Sequence, residues 1–314
     1  MSHFIKQIHS AKTIAITGHI HPDGDCIGSC LGLRQYILDH DPNKQVDVYL
    51  ESVPAEFLFL KGAENIFLEP QDKEYDLFFV LDCSSVDRFV PFADMADKAK
   101  TLFCIDHHIS NQGLGDFCLV DSQASATCEV LCQIFDMNEI SLSCAECLYT
   151  GIVHDTGVFK HSNTTKATMT YAGNLLEKGV NCSKIIDETF YQKTFVQNLA
   201  LGKALLNSSL EVDGQIIVSF LTQENLTEIS ASSADLNGII DQLRITKGVE
   251  TAVFLYPLTP ESYKVSMRSN IKVNVSSIAQ EFQGGGHIRA AGCTMHGTIE
   301  DIKQQIISRI QQQL

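Results

Sequence analysis

The stretch TIAITGHIHPDGD, residues 13–25, joins an apolar run to a cluster of charged and turn-forming residues. Its first part, residues 13–19, has the near-continuous apolar character of a strand buried on both faces. Pro22 and Gly24 then favour an irregular turn, and a helical pattern follows near residues 27–40. The order of strand, turn and helix predicts that an α/β unit begins here.

Three further segments with strand character lie downstream: QVDVYLE (45–51), YDLFFVLD (75–82) and TLFCIDHH (101–108). Helical patterns follow near residues 124–136, 143–154 and 166–178. Apolar runs without alternation indicate a mainly parallel sheet with helices on both faces. We therefore predict an α/β catalytic domain over residues 1–189.

The remainder of the chain predicts a smaller α/β domain. A helical, mostly polar segment over 190–208 is expected to connect the two domains, and the second should span 209–314. Its predicted elements are strands at 214–220, 251–256 and 262–268, a Gly-rich turn at 284–286 and a last helix near 299–313. We expect the active site to lie in the cleft between the domains.

Length and charge bound the function. A chain of 314 residues favours two domains, and its net charge is −15. Residues 1–189 carry net −14 and residues 190–314 carry net −1. This balance argues against a surface that tracks long duplex nucleic acid, because such binding needs many Lys and Arg contacts to phosphates. A polyanionic substrate would reach the first domain through bound cations.

The eleven cysteines and the N-terminus point to a cytoplasmic protein that does not cross a membrane. An odd number of scattered cysteines suits reduced, buried thiols, and we find neither a secretory signal nor an apolar stretch of spanning length. Cys144 and Cys147 form a CxxC, for which a zinc or redox role is the alternative to packing in a helix. The oligomeric state stays open, with a homodimer as one candidate.

Acidic and histidine side chains follow three of the predicted strands. The carboxyl ends of parallel strands form the ligand crevice of an open sheet, so these side chains should converge. Clustered carboxylates need counter-charge, which two divalent cations would supply. Oxygen and nitrogen donors without thiolate suit Mn²⁺ best, with Mg²⁺, Co²⁺ or Fe²⁺ as alternatives. The predicted metal ligands are His19, Asp23, Asp25, Asp82, His107 and Asp155.

Each of these residues also has a simpler interpretation. An Asp at a strand end is often a helix cap or a turn former, and Asp23 or Asp25 could only cap the next helix. His107 and His108 could be a hydrogen-bonded pair in the core. We interpret Asp106 as a partner that orients a histidine and not as a direct ligand.

The motif GGGHIRAAG, residues 284–292, is the second candidate site. Successive glycines let backbone N–H groups approach an anion, and His287 and Arg289 stand beside them as donors. Such a segment is often only a turn. Arg268 is a further candidate, although an Arg in a strand usually faces solvent.

Together these motifs closely resemble the DHH phosphoesterase family over nearly the whole chain, and within it the nano-RNase A type. The first motif is HIHPDGDCIGS, the second VLD at 80–82, the third IDHHISN and the fourth GIVHDTGVFKHSNTT. Arg268, Ser269 and GGGHIRAAG look like the associated C-terminal domain. His154 and Val158 depart from the family pattern around Asp155.

The resemblance implies roles for these residues. His19, Asp23 and Asp82 would hold one Mn²⁺, and Asp82 would bridge to the second. The second ion would also take Asp25, His107 and Asp155. His108 would contact the scissile phosphate, so that His108, Asp82 and Asp106 form the expected catalytic group. The nucleotide or its terminal phosphate would be held by Arg268, Ser269, Gly284, Gly285, Gly286, His287 and Arg289.

We therefore expect a metal-dependent hydrolase that degrades short RNA or DNA oligonucleotides and dephosphorylates 3′-phosphoadenosine 5′-phosphate. A phosphodiesterase for a cyclic or linear signalling dinucleotide, or a pyrophosphatase or exopolyphosphatase, would use the same metals. A pyrophosphatase should have a second domain rich in Lys and Arg, unlike this one. A nucleotide-binding protein without catalysis is the alternative of another class, but the ligand set is complete.

Overall fold

The computed structural model describes residues 2–314. The chain forms two compact units, Met1–Gln192 and Lys193–Leu314. The predicted connector at 190–208 overlaps both of these units, and the predicted domain boundaries stay a prediction. No helix within residues 2–314 combines the length and apolar character needed to cross a membrane.

Five parallel strands form the sheet of the first unit, and helices follow them along the chain. The strands are β1 (Thr13–Thr17), β2 (Gln45–Tyr49), β3 (Leu77–Leu81), β4 (Leu102–Asp106) and β5 (Phe117–Val120). The helices are α1 (Ser2–Ser10), α2 (Gly24–His40), α3 (Ala93–Lys98), α4 (Thr127–Ile134), α5 (Leu142–Asp155), α6 (Lys166–Glu177) and α7 (Cys182–Ile186), with a π-helical turn at Asp187–Tyr191.

Both faces of this sheet are covered, as the sequence predicts. All five residues of β3 are buried, and they alternate between two cores. Phe79 packs with residues of α1, α2, α4 and α5 on one face. Phe78 packs with Met95 of α3 on the other. The strand order is β2-β1-β3-β4-β5, so β2 lies on one side of β1 and the later strands lie on the other. The succession of strands therefore changes sides between β1 and β3, and the carboxyl ends of these two strands form the expected ligand-binding crevice.

Close packing of α2 on α5 depends on glycines. A Cβ added to Gly28 would lie 2.5 Å from the Cys147 carbonyl oxygen, and one added to Gly151 would lie 2.6 Å from Asp25 Oδ1. Helix backbones can approach closely only where side chains are this small, since interiors are packed without spare volume. The two helices are therefore closely packed around Asp25, which lies in the first turn of α2.

The second unit is a six-stranded mixed sheet in the order β10-β11-β9-β8-β7-β6. Only β7 and β8 pair in parallel. The strands are β6 (Ser209–Glu211), β7 (Ile216–Phe220), β8 (Thr251–Thr259), β9 (Ser262–Ser269), β10 (Gly285–His287) and β11 (Ala290–His296). The helices are α8 (Phe195–Leu206), α9 (Gln223–Glu228), α10 (Ile239–Arg244), α11 (Val275–Glu281) and α12 (Ile299–Gln311).

Several local predictions need correction. The predicted Gly-rich turn at 284–286 is wrong, because Gly285 and Gly286 belong to β10 and the turn of this hairpin lies at Ile288 and Arg289. Helix α2 begins at Gly24 instead of residue 27, because the Asp23 side chain caps it there. The short strands β5 and β6 and the longer β11 were not predicted.

Candidate metal centre and nucleotide site

The predicted metal ligands of the first unit come together at the carboxyl edge of its sheet. His19 follows β1, Asp82 follows β3 and His107 follows β4. Asp25 lies in the first turn of α2, and Asp155 is the last residue of α5. The strand ends and these two helix ends therefore supply every member of the cluster.

Asp82 lies at the centre of the cluster. Its Oδ2 is 3.4 Å from His19 Nε2, and its Oδ1 is 3.6 Å from His107 Nε2. The Thr127 hydroxyl donates a hydrogen bond to Oδ1 at 3.0 Å. Asp82 is 3% exposed and has a φ of +54°, a left-handed conformation that is costly for a residue with a side chain. This strained backbone conformation directs the Asp82 carboxylate towards both histidines.

The rings of the two histidines beside Asp82 are oriented in the same way. His19 Nδ1 lies 2.9 Å from the Ile20 carbonyl oxygen, and His107 Nδ1 lies 3.3 Å from that of Ala124. A carbonyl oxygen only accepts, so Nδ1 carries a proton in each ring, and Nε2 is the ring atom that faces the cluster. This is the arrangement that metal-ligating histidines adopt.

Asp25 and Asp155 complete one side of the cluster. Asp25 is fully buried and accepts hydrogen bonds from the backbone N–H groups of Thr127, at 2.6 Å, and Cys128, at 3.0 Å. The N-terminus of α4 thus stabilises its charge. Asp155 Oδ2 lies 3.1 Å from His107 Nε2. Burial, followed by the neighbouring Asp82, raises the pKa of both carboxyls.

Asp23 has a different position from the other acids. Its Oδ1 accepts hydrogen bonds from the Asp25 and Cys26 backbone N–H groups and lies 3.7 Å from His19 Nε2. Burial raises the pKa of Asp23, but His19 and these N–H groups outweigh it and lower the pKa to about 2. Asp23 is therefore the cap of α2 and a neighbour of His19 at the same time.

His108 is positioned by a buried acid. Asp106 Oδ1 accepts a hydrogen bond from His108 Nδ1 at 2.7 Å, and Asn111 Nδ2 donates to Asp106 Oδ2 at 2.8 Å. The hydrogen bond to Asp106 raises the pKa of His108. The His108 side chain is 44% exposed, so its ring combines a fixed orientation with access to solvent.

Three groups of donor atoms in residues 2–314 are close enough to hold a metal ion. They are His19, Cys26 and Asp82; Asp82, His107 and His108; and Asp25, His107 and Asp155. Burial raises the pKa of Cys26 well above the usual value, so this residue remains a neutral thiol. The Oδ and Nε2 atoms that face one another are the donors that hard or borderline divalent cations take.

The carboxylates of the cluster attract positive charge. Burial lowers the pKa of His19, but hydrogen bonds to Asp23 and Asp82 outweigh it and raise the pKa to about 12. Burial likewise lowers the pKa of His107, but Asp155 and the other acids raise it to about 10. The carboxylates thus draw protons onto both rings, and a divalent cation would satisfy the same demand. These residues fit a metal centre.

The predicted nucleotide-binding residues lie on β9, β10 and the hairpin turn of the second unit. Gly285 and His287 are exposed, whereas Ser269 is buried and donates to the Val273 carbonyl at 2.6 Å. Arg289 donates to the Ser269 hydroxyl at 3.1 Å and to the Val273 carbonyl at 3.0 Å. The Arg289 guanidinium thus stabilises this corner of the unit.

Gly284, Gly285 and Gly286 have different surroundings. A Cβ on Gly284 would overlap the Gly292 carbonyl, and one on Gly286, whose φ is +140°, would overlap the Ala290 carbonyl. A Cβ on Gly285 would meet no atom within 4 Å in residues 2–314. Arg268 Nε lies 3.5 Å from Asp241 Oδ1. The substrate roles of all these residues stay predictions.

Three positioning residues were missed by the sequence analysis. Thr127 contacts Asp25 through its N–H and Asp82 through its hydroxyl. Asn111 lies within the third motif, and its spacing after Asp106 is the one signal that could have identified it. The Asn163 amide donates to the Asp155 carbonyl at 3.1 Å.

Two family models match the chain. The model of the DHH family, N-terminal domain, matches residues 13–152, and the model of the DHHA1 domain matches residues 213–314. The chain belongs to the DHH family. The first match ends three residues before Asp155 and contains the other predicted metal ligands.

Similar proteins extend over nearly the whole chain. The bifunctional oligoribonuclease and PAP phosphatase NrnA of Bacillus subtilis (strain 168) is 26% identical, with 93% of this chain and 92% of that protein covered. The protein of the same name from Thermus thermophilus is 27% identical, with coverages of 96% and 90%. The crystal structure of an exopolyphosphatase-related protein from Bacteroides fragilis matches with a TM-score of 0.85, 27% identity and coverages of 99% and 95%. The predicted kinship with the nano-RNase A type is confirmed.

Proposed function

We propose that this protein is a two-metal phosphoesterase that hydrolyses very short oligoribonucleotides to mononucleotides and 3′-phosphoadenosine 5′-phosphate to AMP. The position of Asp82 carries the proposal, because its two oxygens face the Nε2 atoms of two histidines. This arrangement lies in a chain that aligns over more than nine-tenths of its length with oligoribonuclease and PAP phosphatase relatives.

The metal assignment follows the donor atoms. His19, Asp23 and Asp82 would hold one ion, and Asp82, Asp25, His107 and Asp155 the other. Oxygen and nitrogen donors suit Mn²⁺, with Mg²⁺ or Co²⁺ as alternatives. When bound, two such ions supply positive charge and lower the pKa of water, so that a nucleophile for phosphorus is available at neutral pH.

The residues of the chain have distinct tasks in hydrolysis. The oxygen of water bonds to phosphorus and gives up a proton to solvent, while the bond to the leaving oxygen breaks and that oxygen takes up a proton. Negative charge grows on the phosphoryl oxygens during the attack. His108, whose Nδ1 is held by Asp106, presents Nε2 as a donor to this charge. Burial of Asp82 and Asp25 keeps their carboxylates fixed, so little reorganisation accompanies the reaction.

Substrate length and location complete the proposal. We assign the nucleotide, or its terminal phosphate, to Arg268, Gly285 and His287 in the second unit. An acidic chain that binds through metals and a few end contacts suits short substrates and not long duplexes. The eleven cysteines support a reducing cytoplasm as the place of action.

The test is hydrolysis by wild type and Asp82→Asn with Mn²⁺. The panel holds RNAs of about two to 24 nucleotides, 3′-phosphoadenosine 5′-phosphate, a cyclic dinucleotide and pyrophosphate; short RNAs should react fastest, consistent with a few end contacts instead of a basic track. Asp87→Asn, an exposed acid five positions further along, is the matched control and should retain activity. Preference for pyrophosphate or the cyclic dinucleotide would refute the substrate assignment, and an active Asp82→Asn would refute the metal centre.

A further inference from the structure

Two cysteines lie opposite each other on neighbouring strands of the first unit. In the parallel pairing of β4 with β5, Cys104 is the register partner of Cys118. Partners in register point to the same face of a sheet, and neighbouring strands are about 4.8 Å apart. The Cα atoms joined by a disulfide are usually about 4.4–6.8 Å apart. A bond between these two sulfurs therefore requires rotation of side chains and no displacement of a strand.

The Asn111 side chain contacts both thiols. Cys118 Sγ donates to Asn111 Oδ1 at 3.6 Å, and Asn111 Nδ2 donates to Cys104 Sγ at 3.4 Å. Burial and then the neighbouring Cys118 thiol raise the pKa of Cys104, so the two cysteine side chains also interact directly. Both cysteines are free thiols in this structure. Their sulfurs therefore lie together beside one amide group.

Two other pairs of cysteines in residues 2–314 are placed differently. Cys26 and Cys30 are one turn apart on α2, and Cys144 and Cys147 are three residues apart on α5. All four are buried, and buried structural cysteines are usually inert. Cys118 instead lies on β5, the edge strand of the sheet. A small oxidant can therefore approach its sulfur without entering the centre of the core.

We infer that Cys104 and Cys118 are a site of reversible oxidation, at which hydrogen peroxide converts the two thiols into a disulfide. The Cys118 sulfur attacks one oxygen of the peroxide, the O–O bond breaks, and a sulfenic acid and one water form. The Cys104 sulfur then attacks the Cys118 sulfur, the S–O bond breaks, and a second water leaves. Both thiol protons end in these waters, and the two electrons that reduce the peroxide come from the two sulfurs.

Oxidation of this pair changes the support of His108. Asn111 Nδ2 also donates to Asp106 Oδ2 at 2.8 Å, and Asp106 Oδ1 accepts from His108 Nδ1 at 2.7 Å. In the disulfide, Cys118 has no S–H group to donate, and its sulfur turns from Asn111 towards Cys104. The position of Asn111, and with it the orientation of Asp106, therefore becomes less fixed.

The effect on hydrolysis is expected to be partial. Asn111 keeps its hydrogen bond to the Cys83 carbonyl oxygen at 3.3 Å and the one from the Gly113 N–H at 2.9 Å. We expect about a tenfold loss of turnover, the lower end of the effect that is typical of residues one step removed from a metal site. This consequence rests on the proposed function, whereas formation of the disulfide does not.

The first experiment identifies the bond. The full chain is treated with hydrogen peroxide, free thiols are blocked with an alkylating reagent, and the peptides are analysed by mass spectrometry. Wild type should give a cross-linked peptide pair that joins Cys104 to Cys118, and dithiothreitol should remove it. Cys118→Ser should give no link to Cys104. Cys182→Ser, which removes a half-buried thiol of the same unit, is the matched control and should behave as wild type.

The second experiment follows the site itself. The imidazole NMR signals of His108, assigned with His108→Gln in protein without added Mn²⁺, should shift when wild type is oxidised. They should stay in place in peroxide-treated Cys118→Ser, whose hydroxyl can still donate to Asn111. After the peroxide is removed, hydrolysis of a dinucleotide with Mn²⁺ should be about tenfold slower in oxidised wild type and recover with dithiothreitol. Peroxide should leave the activity of Cys118→Ser unchanged.

The inference is overturned if peroxide produces no bond between Cys104 and Cys118, as when Cys118 goes on to a sulfinic acid instead. If the bond forms but the His108 signals do not move, the connection through Asn111 is wrong. If the signals move but neither form hydrolyses any substrate of the panel, the oxidation site is supported and the proposed hydrolytic function fails.

Discussion

The strand ends of the first unit and the glycine hairpin of the second unit are built in opposite ways. At the strand ends, Asp82 and Asp106 are buried, and other side chains fix each carboxylate, with two backbone N–H groups also donating to Asp106. In the hairpin, Gly285 and His287 are exposed, and pairing of β10 with β11 sets their position.

This contrast separates two kinds of function. A substitution at the strand ends changes the charge of a buried site, where water cannot replace the lost interaction. Turnover and metal binding should therefore decrease. A change in the hairpin alters the shape of an exposed surface, so substrate affinity should respond. The following substitutions test this division.

The largest effect is expected for Asp155→Asn. It removes the charge beside His107 Nε2, and the loss of turnover should exceed the roughly 10–100-fold that is typical of residues one step removed from a metal. Binding of Mn²⁺ should fall from two equivalents to one in the same protein. Asp121→Asn is the control, because its carboxylate pairs with Gln133 on the same edge of the sheet. Two bound equivalents in Asp155→Asn would contradict the assignment.

Asp106→Asn should have the next largest effect. Asp106 raises the pKa of His108, so its loss lowers that pKa and the ring gives up its proton at lower pH. The alkaline limb of kcat/KM should therefore move to lower pH, with a decrease of about 10–100-fold at pH 8. Asn111→Ala removes a donor to Asp106 but leaves the charge, and should shift the limb less. An unmoved alkaline limb in Asp106→Asn would show that hydrolysis does not depend on the protonated form of His108.

Gly285→Ala tests the hairpin. The added methyl meets no atom of residues 2–314, so stability should be unchanged, while KM for a dinucleotide should rise about tenfold from obstruction of the ligand. Gly286→Ala is the contrasting variant, since its methyl would overlap the Ala290 carbonyl at positive φ and lower the melting temperature. If Gly285→Ala leaves KM unchanged, the hairpin does not contact the nucleotide at this position.

The smallest effect on turnover is expected for Gly24→Ala, which changes the packing of the first motif. The His154 ring occupies the place that a Cβ on Gly24 would take, so Gly24→Ala should lose about 1–3 kcal/mol of stability. His154→Ala in the same chain should recover part of that loss, as a double-mutant cycle of chemical unfolding would show. Additive losses would mean that Gly24 is needed for a different reason.

Sequence alone predicted the elements whose own residues show a clear hydrophobic pattern. Strands β1, β3 and β4 are mostly apolar, and acids and histidines stand at or just after their carboxyl ends, so the cluster at one sheet edge could be expected. The exposed strand β5 lacks such a run. The pairing of β10 with β11 depends on backbone contacts between glycine and alanine residues, which no hydrophobic pattern records.

Contacts between distant residues were beyond prediction. The sequence left open whether Asp23 or Asp25 caps α2, and the structure assigns the cap to Asp23. Asp25 instead accepts from Thr127, 102 positions along the chain. That partner is a product of topology, as is the place of His154 against Gly24, so neither could be deduced from local spacing.

The left-handed backbone of Asp82 has a consequence for selection experiments. A residue with φ of +54° would be replaced most comfortably by glycine, which adopts this region without steric cost. Asp82→Gly would also relieve the crowding of carboxylates when no cation is bound. A search for heat-resistant variants that scores folding alone should therefore enrich substitutions at the very position on which hydrolysis depends.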